Sequence, residues 1–201
     1  MVGDFSEILS GKRVMPNPRV TGSNVPSTGK VKLTWEPVEG ADRYMVYRAF
    51  SAKGTYKLML TTANPHYTNT SAVAGRTYYY QVRAISDSDP ALTSATYINR
   101  DYTCQLPRPV VTASLTASGK PKLTWEPIKD AVQYKVYRSE SKSGTYRLMK
   151  TVTEGTSYVN TSIESGKRYY YKVRAIHEKG LSTPYTAPNS AFSTVVKVQV
   201  P

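Results

Sequence analysis

The sequence predicts an all-β fold built as two consecutive antiparallel β-sandwiches, and three observations support that prediction. The chain is duplicated nearly end to end. Its apolar residues alternate with period two. Turn-forming Gly, Pro, Ser and Asn clusters interrupt the alternation roughly every eight to twelve positions, the spacing of short antiparallel strands.

The duplication is close enough to align by eye. "MPNPRVTGS" at 15–23 matches "LPRPVVTAS" at 106–114, and "KLTWEPV" at 32–38 returns as "KLTWEPI" at 122–128. "YMVYRAFSAKGTYKLM" at 44–59 matches "YKVYRSESKSGTYRLM" at 134–149, and "YTNTSAVAGRTYYYQVRAI" at 67–85 matches "YVNTSIESGKRYYYKVRAI" at 158–176. The units are expected at 14–104 and 105–201, with residues 1–13 a leader or the end of a preceding element.

Within each unit the elements follow in order. "KVKLTWE" turns Val31, Leu33 and Trp35 to one face. "YMVYR" puts Tyr44 and Val46 on one side and Met45 and Tyr47 on the other. "SAKGTY" and "SKSGTY" read as hairpins, with Gly54 and Gly144 expected at positive φ. "TYYYQVRAI" separates Tyr78, Tyr80, Val82 and Ala84 from Tyr79, Gln81 and Arg83. A sheet with one apolar face must cover it with a second sheet, so each unit closes as a sandwich. The joint, "DYTCQLPRP", is short, and Pro107 and Pro109 lock backbone dihedrals there. Restricted bending and an elongated pair are expected.

Composition narrows the function classes. Tyrosine supplies 17 of the aromatics against 3 Phe and 2 Trp, which suits thin cores in which a ring is buried while its hydroxyl finds a partner. A unit of about ninety residues still buries roughly 60–65% of its extended surface. One cysteine, Cys104, excludes an internal disulfide framework; it reads as a small apolar side chain near a unit boundary. No run reaches the roughly 20 apolar residues of a membrane helix, and the opening shows no basic leader followed by an apolar stretch. The net charge is +13. Residues 14–104 hold 10 basic and 6 acidic residues and residues 105–201 hold 15 and 6, a surplus of +4 against +9. Such a surface attracts polyanions, although scattered solvated lysines serve solubility equally.

These residues resemble the fibronectin type III family over nearly the whole chain, in two copies. The features that carry the resemblance are Trp35–Glu36–Pro37 and Trp125–Glu126–Pro127, the "Y-x-V-Y-R" runs, and "G-x-x-Y-Y-Y-x-V-R-A". The resemblance implies an immunoglobulin-like sandwich with a core of Trp35, Trp125, Tyr44, Tyr134, Tyr78 and Tyr169. It also implies that Tyr78 and Tyr169 form tyrosine corners, each hydroxyl bonding upstream backbone. The spelling is similar to repeats of secreted and surface proteins of Gram-positive bacteria, where such modules serve as spacers or adhesive segments. Nothing spells Arg-Gly-Asp, and the F–G loops read "SDSDPAL" and "HEKGLSTP", so animal-type integrin recognition is not implied.

Candidate chemistry is sparse. His66 and His177 stand in non-matching parts of the repeats without a neighbouring Cys or carboxylate pair, so neither supports catalysis or zinc. Asp87 and Asp89 are too few for a calcium site. Asn69-Thr70-Ser71 and Asn160-Thr161-Ser162 fit the glycosylation pattern, but their equivalent positions favour side chains that bond turn backbone. Tyr47, Tyr79 and Arg83, with Tyr137, Tyr170, Lys172 and Arg174, form a candidate binding face on which sugars stack while cations meet acidic groups. Because the set recurs, a cross-strand ladder belonging to the fold is the simpler reading.

The resulting expectation is a non-enzymatic spacer and adhesion segment of a bacterial extracellular or cell-surface protein, part of a larger multidomain chain and needing no cofactor. Candidate partners are a cell-wall polymer, a polysaccharide or a protein ligand. Nucleic acid is not expected, since no recognition helix or RNA-binding strand signature is present. Two alternatives are an anionic polysaccharide-binding module and accessory domains of a carbohydrate-active enzyme.

Overall fold

The computed structural model describes residues 15–95, 97–181 and 188–201. The leader expected over 1–13, and the end of the second F–G loop from residue 182 onward, lie outside the described residues.

Fourteen strands are present among the described residues. The first seven are β1 (Thr21–Asn24), β2 (Val31–Thr34), β3 (Arg43–Ala49), β4 (Lys57–Thr62), β5 (His66–Thr68), β6 (Thr77–Ile85) and β7 (Tyr97–Thr103). The second seven repeat them: β8 (Val111–Leu115), β9 (Pro121–Trp125), β10 (Ala131–Ser139), β11 (Arg147–Val152), β12 (Ser157–Val159), β13 (Arg168–His177) and β14 (Val196–Gln199). Each set forms one three-stranded sheet, β1-β2-β5 or β8-β9-β12, and one four-stranded sheet, β4-β3-β6-β7 or β11-β10-β13-β14. The chain is thus two fibronectin type III-like antiparallel sandwiches.

The alternation read from sequence is realised residue by residue. Along β6 every second side chain is buried, and β13 repeats the pattern up to Ala175 and Ile176, which are buried in succession. The core of the second sandwich joins Val111, Leu123 and Trp125 of one sheet to Tyr134, Val136, Tyr171 and Val173 of the other. In the first, Val31, Leu33 and Trp35 are buried together with Val46, Tyr80 and Val82, and Tyr67 meets Tyr80 edge-on at 6.4 Å.

By density of contact the chain forms two compact units. One holds Thr34–Tyr67, Tyr79–Arg100 and the stretch ending at Thr21; the other holds Gly22–Leu33, Thr68–Tyr78 and Asp101–Pro201. Within the second unit the residues after β7 are fixed by backbone hydrogen bonds: Gln105 N–H donates to Gly29 O at 3.0 Å and Arg108 N–H to Pro26 O at 2.9 Å. Leu106 is buried there, its N–H donating to Pro188 O at 3.0 Å.

The hairpin glycines depart from expectation. Positive φ falls at Gly29, Gly40, Gly75, Gly119, Gly155 and Gly166, and not at Gly54 or Gly144. The reason for glycine at those two positions is crowding. A β-carbon on Gly54 would lie 2.8 Å from Ser51 Oγ, and one on Gly144 would fall closest to the matching Ser141 Oγ and 2.9 Å from Ser139 Oγ.

Candidate functional site

The residues expected to fill the cores form two matched sets. Trp35 and Trp125 are each 5% exposed, packed against Tyr44 and Tyr134 with ring centroids 5.3 Å apart in both sandwiches. Both indole N–H groups are buried without a hydrogen-bond partner. The Tyr78 hydroxyl accepts from Val73 N–H at 2.9 Å and the Tyr169 hydroxyl from Glu164 N–H at 3.0 Å, five residues upstream in each case.

A second clamp was not read from the sequence. The Tyr44 hydroxyl accepts from Val38 N–H, and that of Tyr134 from Ile128 N–H, both at 2.8 Å. Each ties the segment after Trp-Glu-Pro to the strand that follows. A signal existed in the six-residue interval common to both repeats. The segments that precede the last strands, β7 and β14, hold another device. Ala84 N–H donates to Ser94 Oγ and Ala175 N–H to Ser190 Oγ, both at 2.9 Å, and Val173 N–H donates to Ser193 Oγ at 3.0 Å. Serine hydroxyls there serve as acceptors for inner N–H groups of the ladder.

The candidate binding residues lie on the outer faces of the two four-stranded sheets, half-buried and alternating with core positions. In the first, Tyr47 stands opposite Gln81 and Met45 opposite Arg83. The Arg83 guanidinium donates to Ser94 O at 3.1 Å and Thr93 Oγ1 at 2.6 Å. Tyr47 donates to Met45 Sδ at 3.4 Å, and Tyr79 lies near Tyr56, whose hydroxyl burial pushes up.

In the second, Tyr137 stands opposite Lys172, Lys135 opposite Arg174, and Tyr170 opposite Lys197. Phe192 enters this face, meeting Tyr137 edge-on at 5.2 Å. The Lys172 ammonium lies 4.2 Å from the ring centroids of both Tyr146 and Phe192. Arg174 sits 5.3 Å from Phe192 and donates to Ser190 O at 2.7 Å; burial lowers its pKa from the usual arginine value, and Tyr137 opposes the shift. Tyr146 and Phe192 were not singled out from sequence. Phe192 has no aromatic counterpart to mark it, and Tyr146 was read only as part of a hairpin.

Other candidates resolve into local roles. Asn69 and Asn160 are buried, at 0% and 1% exposure. Asn160 Oδ1 accepts from Ser162 N–H at 3.1 Å while its amide donates to the Tyr171 hydroxyl at 2.8 Å; Asn69 Oδ1 accepts from Ser71 Oγ at 2.9 Å. Asp87 pairs with the Arg43 guanidinium, and Asp89 Oδ1 accepts from Ala91 N–H at 3.0 Å. The Asp42 carboxylate takes the Asp87 N–H at 2.7 Å and the Ser86 hydroxyl at 3.0 Å, and these bonds lower its pKa. His66 is exposed at the start of β5. His177 Nδ1 accepts from Lys179 N–H at 3.1 Å. Cys104 is buried, its thiol directed at Gly29 O at 3.2 Å, and burial raises its pKa.

No family model matches this chain. Among curated proteins it is similar to amylopullulanase of Thermoanaerobacter thermohydrosulfuricus, 28% identical over 113 residues, which is 55% of this chain and 8% of that protein. It is likewise similar to amylopullulanase of Thermoanaerobacterium saccharolyticum, 29% identical over 111 residues, again 55% and 8%. The chain therefore spans under a tenth of the length of these relatives. Among solved structures, a two-domain fibronectin type III segment of chicken tenascin is 16% identical with a TM-score of 0.49, covering 92% of this chain and all of that one. An Fn3-like protein of Clostridium thermocellum is 29% identical with a TM-score of 0.39, covering 46% of this chain and 91% of that one.

Proposed function

We propose that the chain is a non-catalytic accessory segment of a larger, exported bacterial protein that acts on polysaccharide, and that it holds neighbouring domains at a set separation. Its modules run near 14–104 and 105–201. The observation that supports this reading is the short segment after β7, in which Gln105 and Arg108 bond backbone at Gly29 and Pro26 and Leu106 is buried. Each sandwich closes its own core with paired tyrosine clamps, and the aromatic and cationic side chains lie on open sheet faces. An open face suits attachment better than enclosed chemistry. The likeness to under a tenth of two amylopullulanases supports a segment shared between parents that act on glucan.

Residual dipolar couplings measured on the full chain test the spacer. Couplings from both sandwiches should fit one alignment tensor. Two tensors of different magnitude would sink the reading, and release of reducing sugar from pullulan by the purified chain would remove its non-catalytic part.

A further inference from the structure

The two sandwiches are one design used twice, so positions that recur report on the fold and positions that differ report on what one copy does alone. On the outer face of the large sheet, Tyr47 and Tyr137 recur, as do Tyr79 and Tyr170, and Arg83 and Arg174. Among the matched positions of this face, Met45 becomes Lys135, Gln81 becomes Lys172 and Thr77 becomes Arg168, each adding a cation, while Arg43 becomes Gln133 and removes one. Strands β10, β11, β13 and β14 hold 8 basic residues and no acidic one, whereas β3, β4, β6 and β7 hold 5 basic residues and Asp101. The +9 surplus thus gathers on one sheet.

Among the described residues no carboxylate pairs with Lys135, Lys172 or Lys197. Lys172 is fixed between Tyr146 and Phe192, each 4.2 Å away, a contact that immobilises an ammonium without neutralising it. The side-chain entropy a free lysine loses on binding is therefore already spent in folding. Lys135 and Arg174 stand directly opposite on neighbouring strands, which are about 4.8 Å apart, so the face offers a row of positive charge.

We propose that the outer face of β10, β13 and β14 binds a carboxylate-bearing acidic polysaccharide. Lys135, Lys172 and Lys197 meet its carboxylates, and the hydroxyls of Tyr137 and Tyr170 meet its ring oxygens and hydroxyls. Polysaccharide fits better than single-stranded nucleic acid because Lys172 occupies the faces of Tyr146 and Phe192 on which bases would stack. The proposal rests on the reading of the chain as a segment of a polysaccharide-acting protein, but it fails separately, since loss of binding leaves the alignment tensor unchanged.

Affinity electrophoresis of the full chain through gels containing polygalacturonate, pullulan or single-stranded DNA tests it. Polygalacturonate should retard the chain and the retardation should fall with salt, as expected for a charge-driven contact. The double variant Lys135→Met, Lys172→Gln, which installs the residues the first sandwich already uses, should weaken binding by about tenfold or more. Its near-ultraviolet circular dichroism serves as the folding check. Should that variant misfold, Met45→Lys with Gln81→Lys should strengthen retardation. Equal retardation by pullulan or by DNA, an unaffected double variant, or no gain in the reciprocal one overturns the proposal.

Discussion

A phenol hydroxyl is a small group, yet in each sandwich two of them position backbone that no strand holds. Tyr78 and Tyr169 close the turn before β6 and β13; Tyr44 and Tyr134 close the segment after Trp-Glu-Pro. Removing one hydroxyl strands a backbone N–H, at a cost of about 1–3 kcal/mol. Tyr169→Phe should therefore lower the urea midpoint with an unchanged m-value, and an unchanged midpoint would show that water replaces the phenol. The corner was legible because a family resemblance marks that tyrosine, whereas the Tyr44 clamp was marked only by the six-residue interval common to both repeats, which does not give the path of the loop. Asp130 is a second residue-scale case. It has φ 66°, where the first repeat has Gly40 at φ 76°. A non-glycine residue there costs about 1 kcal/mol, so Asp130→Gly should raise the thermal midpoint by several degrees. A lower midpoint would mean that the carboxylate does something that relieves the strain.

Elements were the most legible scale where the alternation was long. "TYYYQVRAI" reads as a half-buried strand and is one, because period two is a property of backbone geometry rather than of context. The hairpin glycines were misassigned for a different reason. Their positions mark a tight turn, but the constraint is the space beside Ser51 and Ser141, and spacing alone does not separate a dihedral requirement from a steric one. The serine acceptors at Ser94 and Ser190 were not legible at all, since a serine in a polar stretch is unremarkable until a strand leaves its register beside it. Ser190→Ala leaves Ala175 N–H buried without an acceptor. The expected loss is about 1–3 kcal/mol, and the Ala175 amide should exchange faster with deuterium than its neighbours. Uniform protection along β13 would mean that a backbone carbonyl substitutes.

For the molecule as a whole, buried tyrosine makes stability depend on alkaline pH. Burial raises the pKa of Tyr67, Tyr158 and Tyr171, and in Tyr171 the hydrogen bond from Asn160 opposes the shift. An acid whose folded pKa lies above the unfolded value of about 10 favours the fold while neutral. That stability is complete below about pH 10 and is lost as pH rises through the raised values. Tyrosinate absorbance should therefore climb together with loss of ellipticity above pH 10. Full ionisation with the fold intact would show that these hydroxyls are solvated.

The sequence by itself determined the duplication, the two sandwiches and which side chains face inward, because alternation and turn chemistry are local and were written twice. Only the tertiary structure decided where Phe192 packs, which hydroxyls accept which N–H groups, and that the basic surplus gathers on the strands of one sheet. Those depend on residues far apart in sequence arriving within a few ångströms of one another, and a linear pattern carries no distance between its parts.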